Sequence, residues 1–488
     1  MRIVILLVAA ATAALAIPRF EPVQPALFST GGTLTNAWAD FDGDGDPDLF
    51  VGFNGDGNRL YRNDGGVFAD VAAAAGIADV RPTRATAWGD YDGDGDPDLL
   101  VGFAPGAGPV LKLYRNVRGR FDDVAIAVGL RVDSAAVRQP VWIDFDSDGD
   151  LDLFIAFRDR PNSLFRNDAG RFVDVAPAAG LADPRPSVGA VWFDYDADGD
   201  FDVIVANMDG EANGLFRNDG GVFSDVADSL GVAWGGRLRG DAANGTVRPC
   251  VADIDGDGLL DLFFANYGRN GLFLNRGDAG FEDVSEAWGI AIDARYDACA
   301  FADIDHDGRL DLYVTGTVTG GVSYRDHLFL NTGSRFEDVT PDELRLEADH
   351  GVQWADFDGD GDMDLALTGA GADGTHALLR NTLGADTARR SLSVLVVDLT
   401  GRAVRAGAEV RVYAAGTRTP IGARLVDAGS GYNAQSILPV HFGLPDASEV
   451  DVEVIYPAAG RRESAWVYHV HPLVQANRPV QVRVPPRR

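Results

Sequence analysis

The residues with the most chemistry to offer are aspartates set at alternate positions. The run Asp40-Phe-Asp-Gly-Asp-Gly-Asp-Pro-Asp48 recurs seven times, at spacings of 50, 54, 50, 59, 50 and 53 residues. At loop positions 1, 3, 5, 7 and 9 the copies read Asp40, Asp42, Asp44, Asp46, Asp48; Asp90, Asp92, Asp94, Asp96, Asp98; Asp144, Asp146, Asp148, Asp150, Asp152; and Asp194, Asp196, Asp198, Asp200, Asp202. The last three read Asp253, Asp255, Asp257, Leu259, Asp261; Asp303, Asp305, Asp307, Arg309, Asp311; and Asp356, Asp358, Asp360, Asp362, Asp364. Position 6 is always glycine, from Gly45 to Gly361. Alternating hard oxygens, a glycine at the sharp turn and a seventh position that lends only its backbone carbonyl are the logic of a Ca²⁺ loop. Leu259 and Arg309 are tolerated because a position-7 side chain can point away from the ion. A flexible, carboxylate-rich loop favours calcium over magnesium. Up to seven calcium ions are expected, one per loop.

The 33 loop aspartates account for the whole formal charge of −32, so the acidity belongs to the loops and not to a general acidic surface. Crowded carboxylates repel without a cation. The charge argues against nucleic acid or an anionic membrane as partner. With 46% apolar and 24% charged residues the composition is globular, and two cysteines exclude a disulfide scaffold or a Cys-rich zinc protein.

Something must hold each loop. An aromatic or apolar residue stands two before each first aspartate: Trp38, Trp88, Trp142, Trp192, Val251, Phe301 and Trp354. Their fixed place beside the loop reads as core packing more than as a sugar-stacking platform. An apolar run follows, such as Leu49-Phe-Val-Gly-Phe53, then a second motif such as Leu60-Tyr-Arg-Asn63, then Phe68-Ala-Asp-Val71. The second motif recurs through Leu378-Leu-Arg-Asn381, and Phe-x-Asp-Val closes six units. Four short strands per unit of about 50 residues, seven times over, predict a seven-bladed β-propeller. Calcium-dense rods have much shorter repeats and no apolar strands. The seventh unit lacks its Phe-x-Asp-Val strand. The orphan segment around Phe20-Glu-Pro-Val23 is expected to pair with the last blade and close the ring.

Met1-Arg2, the apolar stretch to Leu15 and Ala14-Leu15-Ala16 read as a secretory signal peptide cleaved after Ala16. A secreted or periplasmic, non-inserted monomer is expected. The propeller is expected over residues 17–383 and a polar linker over 384–390. From Ser391 the pattern changes to alternating strands such as Leu392-Ser-Val-Leu-Val-Val397 and Val450-Asp-Val-Glu-Val-Ile455, predicting a small β-sandwich over 391–488 and an all-β chain.

The Asp-x-Asp-Gly-Asp loops and Asn-x-Leu-Phe-Arg-Asn strands resemble FG-GAP/VCBS repeats. Ala406-Gly-Ala-Glu-Val410, Gly429-Ser-Gly-Tyr432, Gln435, His441-Phe-Gly-Leu444 and Tyr456-Pro457 resemble the ASPIC/UnbV domain. Two departures are Tyr456-Pro-Ala-Ala, where the family usually shows Trp-Pro-Ser-Gly, and Asn433-Ala434 in place of Leu-Ser. Together the motifs look like a bacterial-type relative of the cartilage acidic protein family. The resemblance implies an exported calcium-binding propeller acting in extracellular interactions with a protein or glycan. For some bacterial members it implies peroxide-dependent iodide oxidation, a haloperoxidase-type reaction.

No Gly-x-Ser-x-Gly elbow, His-Glu-x-x-His or P-loop occurs. Gly369-Ala-Gly-Ala-Asp-Gly374 opens no helix and reads as a turn. His469 and His471 alternate on one strand, a pair without a clear third ligand. His306, at position 4 of the sixth loop, is expected to face solvent, and His441 to be packed and hydrogen-bonded. Arg239-Gly240-Asp241 is expected by chance in this composition. Cys250 and Cys299 precede adjacent loops and could form a disulfide or remain two buried thiols. The leading expectation is a recognition module with structural calcium. The alternatives are an iodide-oxidising enzyme and a multivalent glycan binder.

Overall fold

The computed structural model describes residues 18–106, 108–346, 349–369, 376–403, 405–458, 460–472 and 478–485. The signal-peptide segment and most of the Gly369–Gly374 run lie outside them.

Seven antiparallel four-stranded blades form the propeller. Blade 1 is Thr33–Ala39, Asp48–Phe53, Arg59–Asn63 and Phe68–Asp70, from the axis outward. Blades 2 to 6 repeat this order with inner strands Thr83–Gly89, Val137–Ile143, Ser187–Phe193, Gly245–Ala252 and Asp293–Ala302. Blade 7 has Asp349–Ala355, Asp364–Gly369 and Ala377–Asn381, and its outer strand comes from the other end of the chain. Phe20–Pro22 pairs antiparallel with it, Phe20 opposite Asn381 and Pro22 opposite Leu379. The ring closes as the repeat count predicts.

The tryptophan that stands before five of the loops is an inter-blade wedge. Trp38, Trp88, Trp142 and Trp192 are fully buried. Trp88 Nε1 donates to Ala37 O at 3.2 Å, Trp142 Nε1 to Ala87 O at 3.4 Å and Trp354 Nε1 to Ala300 O at 3.4 Å, each on the preceding blade's inner strand. Each of Trp38, Trp88, Trp142 and Trp192 also packs on the Phe of its own outer strand, at ring centroids of 5.7–6.2 Å. Gly89 is required here, because a Cβ on it would lie 2.5 Å from the Trp142 ring. These rings are core and present no face to a sugar.

The recurring Asn of the third strand has a similar duty, which the sequence did not disclose. In six blades its side-chain Nδ2 donates to the position-2 carbonyl of the preceding blade's loop: Asn116 to Phe41, Asn167 to Tyr91 and, across the closure, Asn63 to Phe357 at 2.7 Å. Neighbouring loops are thereby stitched around the ring.

The C-terminal unit is a sandwich. One sheet holds Val440–Gly443, Ser391–Asp398 and Val480–Val484; the other holds Pro420–Leu425, Glu409–Ala414, Val450–Pro457 and Arg462–Val470. Leu392, Val394, Val410, Val412, Phe442, Val452, Val454 and Val482 fill the space between them. Cys250 and Cys299 are disulfide-bonded, joining the inner strands of blades 5 and 6. No helix among the described residues is long and apolar enough to cross a membrane.

Candidate metal centres and their cap

Each aspartate loop joins a blade's inner strand to its second strand, so all seven lie on one face of the ring. Ligand oxygens of positions 1, 3 and 9 converge in loops 1, 3, 4 and 5: Asp40, Asp42, Asp48; Asp144, Asp146, Asp152; Asp194, Asp196, Asp202; and Asp253, Asp255, Asp261, all within 4.8 Å of one another. In loop 2 positions 1, 3 and 5 do so, as Asp90, Asp92 and Asp94. In loops 6 and 7 the position-9 carboxyls of Asp311 and Asp364 feel those of Asp303 and Asp305, and of Asp356, Asp358 and Asp360.

Backbone conformation sets this up. The position-6 glycines have φ between +87° and +101°, the left-handed region that favours glycine. Position 4 is left-handed too, and Ser147, Ala197 and His306 accept it at φ of +68°, +63° and +58°. The position-1 carboxylate then collects backbone donors. Gly43 N and Asp44 N donate to Asp40 Oδ1, and Gly45 N to Oδ2, at 2.8–3.1 Å. Position 9 is the anchor: Asp48 Oδ2 accepts Phe41 N–H at 3.0 Å and Oδ1 accepts Asn63 N–H at 2.8 Å, and the same pair of bonds holds Asp98, Asp152 and Asp261.

Position 7 behaves differently. Asp46, Asp96, Asp200 and Asp362 turn their Oδ2 toward the segment that follows the third strand, accepting from Gly65, Arg118, Gly220 and Leu383 N–H at 2.7–3.1 Å. Asp150 meets Ala169 N–H in the same manner. Their N–H groups donate back to position 5, as do those of Leu259 and Arg309 at 2.8 and 2.9 Å. The position-7 side chains thus lie outside the carboxylate clusters.

The clusters fit a hard dication. Burial, and then neighbouring carboxylates, push Asp90 and Asp253 up to about 6, Asp303 and Asp356 to about 7, Asp48 and Asp261 to about 8, and Asp98 and Asp152 to about 9. The Oδ1 atoms of Asp253, Asp356 and Asp358 are buried without a hydrogen-bond partner. Carboxylates this desolvated and this crowded are arranged for a cation, and an all-oxygen donor set matches calcium.

The sandwich sits on this face and touches the loops one by one. Arg402 Nη1 donates to Gly93 O at 3.0 Å in loop 2. Arg405 Nη1 lies 3.6 Å from Asp144 Oδ2 in loop 3, both side chains buried. Arg462 Nε donates to Asp194 Oδ2 at 2.6 Å in loop 4, and Gly460 N to Asp200 Oδ1 at 3.1 Å. Arg411 donates to Gly258 O at 2.8 Å in loop 5. His441 Nε2 lies 2.9 Å from Gly361 O in loop 7. Glu409 ties the set together, accepting from both Arg411 and Arg462 at 2.7 Å. His306 does not face solvent as the sequence suggested. It is buried, its Nδ1 is 2.9 Å from Thr387 O and its ring 5.2 Å from that of His441. The sandwich covers loop 6 and desolvates it, and burial lowers the two imidazoles to about 4 and about 3. Loop 1 is the most exposed: Asp42, Gly43, Asp44 and Gly45 are open to solvent.

A second insertion fills the axis. Residues 427–438 leave the sandwich and thread among the inner strands. Ala434–Gln435 pairs parallel with Thr86–Ala87 of blade 2. Gln435 exchanges two bonds with the Trp142 backbone, at 2.6 and 3.0 Å. Trp192 N donates to Ala428 O, Trp38 N to Ser436 Oγ and Gln353 Nε2 to Ser430 Oγ. One short segment therefore bonds inner strands of blades 1, 2, 3, 4 and 7. The axial channel of the ring is a natural place for a ligand, and here it is occupied by the chain itself.

Residues 18–101, 144–205, 194–264 and 253–314 match the model of the FG-GAP-like repeat, and residues 402–482 that of ASPIC and UnbV. The chain belongs to the FG-GAP repeat family. Its ASPIC and UnbV domain is the arginine-bearing cap, and the Gly429–Gln435 motif is the axial plug. Cartilage acidic protein 1 of Xenopus tropicalis is 28% identical over 50% of this chain and 38% of its own length. That of Mus musculus is 27% identical over 69% of this chain and 54% of its own. The chain thus spans about two fifths to a half of these relatives. Among solved structures, a lectin of Agrocybe aegerita that recognises non-reducing terminal N-acetylglucosamine has 16% identity, a TM-score of 0.40 and covers 72% of this chain and 90% of its own. The biofilm matrix protein Bap1 of V. cholerae has 12% identity, a TM-score of 0.37 and covers 93% of this chain and 71% of its own.

Proposed function

We propose that the protein is an exported recognition module whose propeller binds calcium at seven loops, the ions serving mainly to brace the blades and to seat the sandwich. The observation that carries this reading is the position of the cap. The sandwich lies over the aspartate loops and fills the axis, so the surface left for a partner is the opposite face of the ring. That face is made by the connections between second and third strands and between successive blades. Blades 5 and 6 elaborate it most. The insertion around Arg237–Asp241 carries Leu238 at 81% exposure, and the hairpin of Val318–Thr319 and Val322–Ser323 holds two valines about half exposed. Loops on a rigid scaffold are where binding surfaces are built. The disulfide agrees with an oxidising compartment, where free calcium is plentiful.

The test uses the mature, calcium-loaded protein as bait on its own cell-surface and matrix extracts, protein and glycan fractions separately. Leu238→Asp combined with Val318→Asp is expected to abolish capture while leaving metal content and melting temperature unchanged. Capture that survives this pair and is lost on substituting the sandwich's outer face instead would overturn the assignment of the binding face.

A further inference from the structure

Beneath the sandwich lies a pocket of ≈ 210 Å³ that neither the loops nor the plug consumes. Its walls are the disulfide, the inner strands of blades 4 to 7, and Arg424, Ser430, Ser436 and His441 from the cap. Arg424 is 8% exposed. Its Nη1 donates to Ala423 O at 3.0 Å, but Nε and Nη2 have no hydrogen-bond partner. These two atoms share one edge of the guanidinium, the edge that grips two oxygens of one planar group side-on. A buried donor left unmade is costly, and a buried cation more so. An arginine in this condition, its Cζ 5.0 Å from the centre of the Phe442 ring, has its side-on edge open to a ligand.

The other charged groups facing it do not fill that role. Asp303 turns both oxygens into its own loop, accepting Asp307 N–H at 3.1 Å and Gly308 N–H at 2.9 Å. Asp427 accepts from Gly429 N, Ser430 Oγ and Ser436 N at 2.6–2.9 Å, and its charge is set against Arg248. Asp253 and Asp311 act on Arg424 only through their field, and both sit in metal-loop clusters. Calcium in loops 5 and 6 would offset part of that field, and Arg424 keeps two open donors. His441 is held neutral by burial and adds no competing charge.

We propose that this pocket binds a small carboxylate, both oxygens gripped by Nε and Nη2 of Arg424. Its volume is below the ~300–1,000 Å³ of drug-sized ligand sites, which limits the ligand to a few heavy atoms and excludes a folded acidic peptide. The site is distinct from the partner face proposed above, and either can fail without the other.

The experiment titrates the calcium-loaded full chain with acetate and, as a control for charge without shape, chloride. Saturable acetate binding that chloride does not displace is expected. Arg424→Lys keeps the charge and loses the fork, and should weaken acetate at least tenfold. No saturable binding, or a lysine variant that binds as the parent does, overturns the proposal. Should the variant not fold, crystals of the parent soaked in bromoacetate decide the matter, since both cysteines are in the disulfide and no thiol is left to alkylate. Anomalous bromine density against Arg424 supports the site, and density elsewhere or nowhere sinks it.

Discussion

A single aspartate at loop position 9 does three jobs. Asp152 accepts Phe145 N–H at 3.2 Å and Asn167 N–H at 2.8 Å, and under the proposed function its remaining lone pairs face the ion. Asp152→Asn keeps the shape and loses the charge. It should cost about 2–3 kcal/mol and release one calcium per chain, read by melting and by metal analysis of the dialysed protein; unchanged stoichiometry would refute a ligand role. The clustering of these aspartates was legible, because alternation of Asp around a recurring Gly puts carboxylates on one side of a tight loop. What position 4 demands was not: Gly, Ser, Ala and His all occur there, and only the backbone reveals that each is left-handed. His376 makes a separate case. It is buried against Tyr61, Phe28 and Phe53, and burial lowers its pKa from 6.5 to about 3. Its neutral form is the folded one, so its contribution is complete above pH 6.5 and fades as pH falls toward 3. At pH 5 the loss amounts to about 2 kcal/mol. His376→Phe should flatten that part of the acid limb; a melting temperature that falls equally in both proteins between pH 7 and pH 5 would disprove it.

At the scale of elements, strands were readable and insertions were not. Short apolar runs bounded by Gly and Asp turns, repeated seven times, identify the blades, and Phe20–Pro22 was placed from a missing strand in the last repeat. The 427–438 segment carries no such signal. Gly429, Ser430, Gly431 and Asn433 look like a surface turn, yet Asn433, Ala434, Gln435 and Ser436 are buried in the axis. Nothing in a local pattern says that a polar loop of one domain will supply hydrogen bonds to the core strands of another. Gln435→Ala removes the acceptor of Trp142 N–H and leaves buried backbone groups unmade. It should cost about 3 kcal/mol and make the sandwich more susceptible to proteolysis than the propeller; uniform digestion of both would count against the plug. The arginines were equally silent in sequence, since Arg402, Arg405, Arg411 and Arg462 gain meaning only when the sandwich is laid on the loops. Arg462→Ala leaves Asp194 without its cation and should lower the melting temperature by several degrees in metal-free protein. A fall equally large with calcium bound would show that the arginine acts only through packing.

For the whole molecule the sign of the pH response depends on the ion. Without a cation Asp90, Asp48 and Asp98 have folded pKa values of about 6, about 8 and about 9, against 3.8 for a free side chain. Such groups hold protons more tightly when folded, so their stabilisation is complete below about pH 4 and is lost as pH climbs through 6 to 9. Chelated protein should therefore melt higher at pH 5 than at pH 8.5, and calcium-loaded protein the reverse, because acid protonates the ligands and frees the ion. Parallel curves in both states would exclude calcium from the loops. The closing strand bears on a different matter, how such a ring is made. Residue 20 must find residue 381, a contact that spans nearly the whole propeller. Contacts this distant in sequence make for slow folding. Until they form, the growing arc exposes an unpaired strand edge at each end. A product that stops short of Ala377 would be no smaller stable protein but an open crescent, ready to borrow its missing strand from a neighbour.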